Sequence, residues 1–203
     1  MQEIFYIAVL IMSVVIHEIA HGYAALSFGD QTAKYEGRLT LNPIKHLDLY
    51  GSIILPLLLV VTHAPFLVGW AKPVPYNPNN FRPEDRRKGN IWVASAGILV
   101  NLSIAVFFGI IIRLGGFLGL SQTVIDISST IVFLNIVLAI FNLMPFPPLD
   151  GSKIIFGVLG HKSIKIERFM EKYSIGFLIF FLFFLWRYIT PAIYFVFKLM
   201  TGI

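Results

Sequence analysis

Long apolar runs separated by shorter polar connections dominate this chain. Four runs, at roughly 4 to 26, 91 to 113, 123 to 143 and 175 to 198, can cross a hydrocarbon core at about 1.5 Å per helical residue. A fifth, Gly51 to Trp70, is shorter and is interrupted by Pro56, Thr62, His63 and Pro65. The pattern predicts an all-α membrane protein, a polytopic bundle of about four to six transmembrane helices in a single domain over 1–203. It also predicts a re-entrant segment at 51–70 and a short β or irregular membrane-associated loop. Residues 33–41, Ala-Lys-Tyr-Glu-Gly-Arg-Leu-Thr-Leu, alternate weakly and fit either a strand pair or a plain polar loop.

Composition strengthens the membrane reading: 57% of the 203 residues are hydrophobic and 13% charged, unlike a water-soluble domain. The net charge of +5 does not point to nucleic acid, because the basic residues gather between the apolar runs. The N-terminus has no basic leader region and no small-residue cleavage site, so the first run is expected to stay in the mature protein. The spans and short connections use the length, and no soluble appendage is expected.

Lysine and arginine number three in 27–50, five in 71–90, none in 114–122 and five in 144–174. If 51–70 crossed once, the basic connections would fall on both faces. If it is re-entrant, all of these charges lie on one face, which the positive-inside rule makes cytoplasmic. That arrangement is preferred and places the N-terminus outside.

Within the first run lies His17-Glu18-Ile19-Ala20-His21. Positions i and i+4 share a helix face, so both imidazoles can reach one Zn²⁺ while Glu18 stands beside the open coordination site as a candidate general base. An acidic side chain at membrane depth costs roughly 2.5–3.5 kcal/mol, which a bound metal offsets and lipid does not. The bland alternative is a pair of interfacial histidines with Glu18 snorkelling to water. From Ile4 to His17 the helix rises about 20 Å, so the motif lies nearer the cytoplasmic face.

A catalytic zinc needs a third protein ligand, and without cysteine it must be His, Asp or Glu. Asp150 leads, because the prolines of Asn142-Leu-Met-Pro-Phe-Pro-Pro-Leu-Asp150-Gly151 break the helix and Gly151 permits close backbone approach. An ordinary turn or helix-capping role for Asp150 is the alternative. Asp48, Asp126 and Glu3 read as interfacial charges, and His46, His63 and His161 as solvated or interfacial positions.

His17-Glu18-x-x-His21, Gly97-x-x-x-Asn101 and the Asn142 to Gly151 stretch together resemble the three membrane motifs of the site-2 proteases. Gly69-Trp-Ala-Lys-Pro-Val-Pro resembles a loop of the family's small prokaryotic members, and Ile98 stands where many members carry proline. The resemblance implies intramembrane proteolysis in a prokaryotic cytoplasmic membrane. It implies one Zn²⁺ held by His17, His21 and Asp150, with Glu18 activating water and Asn142 and Asn101 positioning a transmembrane protein or peptide substrate. Interhelical hydrogen bonding is the competing role for Asn101 and Asn135. The rival function is a metal-ion transporter or a non-catalytic metal-binding membrane protein, but the donors concentrate near one face and do not form a relay.

Overall fold

The computed structural model describes residues 2–62 and 69–203. His63 and Pro65 lie outside the described residues, as do the side chains of Glu3, Pro56 and His161. Helix α1 spans Gln2–Ser27, followed by the single turn α2 (Thr32–Tyr35) and, after a π-helical stretch at Leu49–Ile54, by α3 (Leu55–Val61). Then come α4 (Arg86–Leu114), α5 (Gln122–Asn142), α6 (Asp150–Leu159), α7 (Ile164–Lys172), α8 (Ser174–Phe180) and α9 (Trp186–Thr201).

Among the described residues, four helical stretches are long and apolar enough to cross a membrane: Ile4–Ser27, Arg86–Leu114, Gln122–Asn142 and Ser174–Thr201. They match the four long apolar runs to within a few residues. The first ends where Gly29 takes φ 97°, a left-handed conformation open to glycine, and the amides of Gly29 and Asp30 close back on the carbonyls of Leu26 and Ala25. Helix α4 is the mast of the bundle, packing against α1, α5, α6 and α9. Its small residues permit this closeness: a Cβ on Gly109 would lie 3.0 Å from the Met200 carbonyl oxygen. At its two ends α4 also caps its neighbours. Arg87 donates to the carbonyls of Gly157 and Val158 at the end of α6, and Arg113 to those of Met200 (2.9 Å) and Leu199 (2.6 Å) at the end of α9.

Three apolar clusters hold the elements. Ala105, Ile112, Val132, Ile136 and Ile193 join α4, α5 and α9. Ala24, Ala25, Phe81 and Val93 join α1 to α4. Phe146 and Leu149, from the proline-rich break after α5, pack on Phe181 of the last span. Trp186 is half-buried against this cluster, edge-on to Phe141 and Phe181, whereas Tyr188 is exposed.

Two further expectations meet the structure. No strand occurs among the described residues. Residues 33–41 instead form a helical turn and an irregular return, because Gly37 (φ 62°) reverses the chain and Arg38 turns inward, where it is buried. The short apolar helix Leu49–Val61 begins the fifth run. The two ends of that run meet: the Trp70 amide donates to the Gly51 carbonyl (3.2 Å), and Ser52 Oγ to the Trp70 carbonyl (2.7 Å). Gly51 is the landing place for the Trp70 indole, which a side chain there would strike.

Candidate metal centre

His17 and His21 sit one turn apart on α1, both buried, with their rings edge to face at 4.6 Å. The imidazole of His17 lies flat against α4 at Gly97, where a Cβ would come within 2.5 Å of the ring. Asp150 is the first residue of α6, aimed by the turn that the prolines impose. That turn is tight enough for Gly151 to lie against the carbonyls of Leu143 and Met144, leaving no room for a side chain.

The three side chains converge. His17 Nε2 to Asp150 Oδ2 is 3.1 Å, His21 Nε2 to Asp150 Oδ2 is 3.0 Å, and the two Nε2 atoms are 3.1 Å apart. A tetrahedral zinc with bonds of about 2.0–2.2 Å separates its ligand atoms by roughly 3.3–3.5 Å, so the triangle needs to widen only by tenths of an ångström. The donor chemistry agrees. His21 Nδ1 donates its hydrogen to the Val93 carbonyl (2.7 Å), which leaves Nε2 as a lone pair turned toward the triangle. Lone-pair atoms facing one another call for a cation.

Asp150 makes a further contact outside the triangle, accepting from Lys153 Nζ through Oδ1 at 3.2 Å.

Glu18, half-buried one position along α1, accepts from the backbone amide of Val74 through Oε2 at 2.8 Å. Val74 lies in an extended, irregular strap over residues 70–77, seated on Gly22, where an added Cβ would lie 2.5 Å from Leu39 and 3.0 Å from Val74. Arg38 donates to the carbonyls of Lys72 (2.8 Å) and Pro73 (3.3 Å), and the Lys72 amide to the His46 carbonyl (2.8 Å). Asp30 accepts from the Asn77 amide (2.8 Å), Asn80 Nδ2 (2.6 Å) and Thr32 Oγ1 (2.6 Å). Burial pushes Asp30 up, yet these donors outweigh it and leave its carboxyl below the ordinary value.

Other predicted positions fall elsewhere. Asn101 is fully buried on α4 with no hydrogen-bond partner for its amide among the described residues. Asn135 donates to Ser13 Oγ (3.0 Å), the interhelical bond foreseen for it, and Asn142 donates to Leu138 of its own helix (3.0 Å). Asp48 caps the π-helical stretch through the amides of Tyr50 and Gly51, and Asp126 accepts from Gln122 on the same helix. His46 corrects the expectation of a solvated loop residue: it is 1% exposed, with Nε2 against the Thr40 carbonyl (2.9 Å). Sequence reasoning missed Val74, Val93, Arg38 and Asp30. The first two act through backbone atoms, which leave no signal in residue type, and the last two read as ordinary loop charges.

The family model described as peptidase family M50 matches residues 5–118 and 113–185. YwhC of Bacillus subtilis, which carries the name of a zinc metalloprotease, is 43% identical over 152 residues, covering 72% of this chain and 65% of that protein. Rip2 of Mycolicibacterium smegmatis, similarly named, is 30% identical over 153 residues, covering 71% of this chain and 53% of its own length. Rip2 of Mycobacterium tuberculosis is 31% identical over 145 residues. The chain thus spans less than two-thirds of the curated relatives it matches. No solved structure matches it.

Proposed function

The chain belongs to peptidase family M50, the site-2 proteases, and on that footing we propose that it is a zinc-dependent intramembrane endopeptidase. The observation that carries the reading is the meeting of His17, His21 and Asp150 within 3.0–3.1 Å, on helices far apart in sequence, beside a glutamate held by a backbone amide. His17, His21 and Asp150 would hold one Zn²⁺, and Glu18 would be the base.

Zn²⁺ bound there supplies Lewis acidity, lowering the pKa of a water toward about 7 and polarising the scissile carbonyl. With Glu18 Oε2 occupied by the Val74 N–H, its second oxygen takes the proton as the water oxygen attacks the carbonyl carbon. Glu18 then passes that proton to the amide nitrogen as the C–N bond breaks, so the residue ends as it began. The substrate is a membrane protein or peptide whose own transmembrane helix unwinds locally, because helical backbone is protected from attack.

The membrane arrangement follows the same reading. Leu49–Val61 is about 20 Å long, short of a hydrocarbon core of about 30 Å, and the joined ends at Gly51 and Trp70 support a re-entrant excursion. The basic connections then share the cytoplasmic face, and the site opens toward it.

The test is zinc quantification and cleavage of a single-span substrate by the detergent-purified protein. Glu18→Gln is expected to keep stoichiometric zinc and lose cleavage, and Asp150→Ala to lose both. Retained cleavage by Glu18→Gln ends the protease reading. Zinc-dependent ion flux in vesicles without cleavage would favour the transporter.

A further inference from the structure

The strap over 70–77 is tied at both ends and in the middle. Trp70 is bonded to Gly51 and Ser52, Lys72 and Pro73 to Arg38 and His46, and Asn77 to Asp30. Between these ties Val74 turns its amide inward to Glu18. The tie next to Val74 is the costly one to build. Arg38 is 4% exposed, no carboxylate pairs with it among the described residues, and its guanidinium meets the carbonyls immediately preceding the Val74 amide. A buried, unpaired cation is retained against a desolvation penalty of several kcal/mol, and an aliphatic residue would fill the same space without it. Both bonds come from Nη2, which is shared between two successive carbonyls, while the buried Nε has no partner among the described residues.

We propose that Arg38 is a positioning residue for the hydrolysis: by fixing the Lys72 and Pro73 carbonyls it aims the Val74 N–H at Glu18 Oε2 and so orients the base. This rests on the reading of Glu18 as the base. The chain of contacts runs Arg38, Lys72 and Pro73 carbonyls, Val74 amide, Glu18, and every link is 3.3 Å or shorter. Leu39, Val74 and Ala33 all close on Gly22, so a strap seated there lies directly on α1.

The test uses the full zinc-loaded chain in detergent and two readouts. Amide exchange at Val74 in Arg38→Met is expected to quicken about tenfold, the ordinary worth of one hydrogen bond, while exchange in α1 and α4 stays unchanged. Glu18→Ala is expected to quicken the same amide, with Arg38→Met adding little on top. In cleavage, Arg38→Met is expected to lower kcat about tenfold to a hundredfold at unchanged KM and zinc content, as misplacement of a catalytic group does, and Arg38→Lys to recover part of the loss. Should Arg38→Met fail to fold, replacing Val74 by its α-hydroxy acid removes the N–H alone and is expected to reproduce the kcat loss. Wild-type exchange at Val74 in Arg38→Met, or wild-type kcat in either variant, overturns the proposal. Exchange is read without turnover, so failure of the protease reading shows separately, as uncut substrate with Val74 still protected.

Discussion

The ligand triangle and the strap that faces it are held by opposite means. His17, His21 and Asp150 stand on helices whose backbone bonds are already made, and their positions are fixed by packing at glycines: Gly97 under one imidazole and Gly151 against the turn before α6. The strap has no helical ladder, so its amides and carbonyls are free to bind side chains, and buried Asp30 and Arg38 hold them. A helix interior has no spare N–H to offer a carboxylate, whereas irregular backbone does. The candidate ligands, which need narrow tolerances, lie on rigid elements, and Glu18, the proposed base, is served by the segment able to donate.

This contrast can be broken from either side. The largest effect is expected at Gly151→Ala, which drives a methyl group into the Leu143 and Met144 carbonyls and should destabilise the fold by about 3 kcal/mol, the upper range for overpacking. Thermal unfolding with and without zinc measures it. Next, Gly97→Ala should press on the His17 ring and weaken zinc binding by roughly 10- to 100-fold, read by competition with a chelator, with the strap's amide exchange untouched. On the other side, Asp30→Ala frees the Asn77 and Asn80 donors and should lower stability by about 2 kcal/mol while leaving zinc affinity at the wild-type value.

The same residue gives the smallest and sharpest effect, a dependence on pH. Asp30 has a folded pKa below its ordinary 3.8, so its contribution is fully present above that value and is lost as pH falls through the lower folded one. Wild type and Asp30→Ala should therefore differ in unfolding temperature near neutrality and converge in strong acid. A difference that persisted there would assign the strap's stability to packing.

The two halves also differ in how much could be read beforehand. The four spans were legible because an apolar run of that length has few other uses, and the candidate ligands because i, i+4 histidines in such a run, followed by a proline-broken carboxylate, are chemically unusual. The strap was not. Residues 33–41 alternate like a strand, but alternation describes side chains only, and Gly37 with a buried Arg38 makes a turn of them. The amide of Val74 and the carbonyl of Val93 are common to every residue, so their roles come from where the chain passes. His46 reads as a loop histidine, yet its ring is buried with Nε2 against the Thr40 carbonyl, and its own carbonyl accepts from the Lys72 amide of the strap.

The wide spacing of the closing contacts bears on how the protein is made. Asp150 follows His17 by 133 residues, and the arginine at the far end of α4 caps carbonyls 86 and 87 positions later. A nascent chain emerging N-terminus first therefore carries both imidazoles through membrane insertion with no third donor to complete them. Its triangle is complete only when the third span and the turn after it have been synthesised, and Arg113 meets its acceptors only at the C-terminal end of Ser174–Thr201. The three donors are thus complete only after three of the four membrane-crossing helices among the described residues have been made.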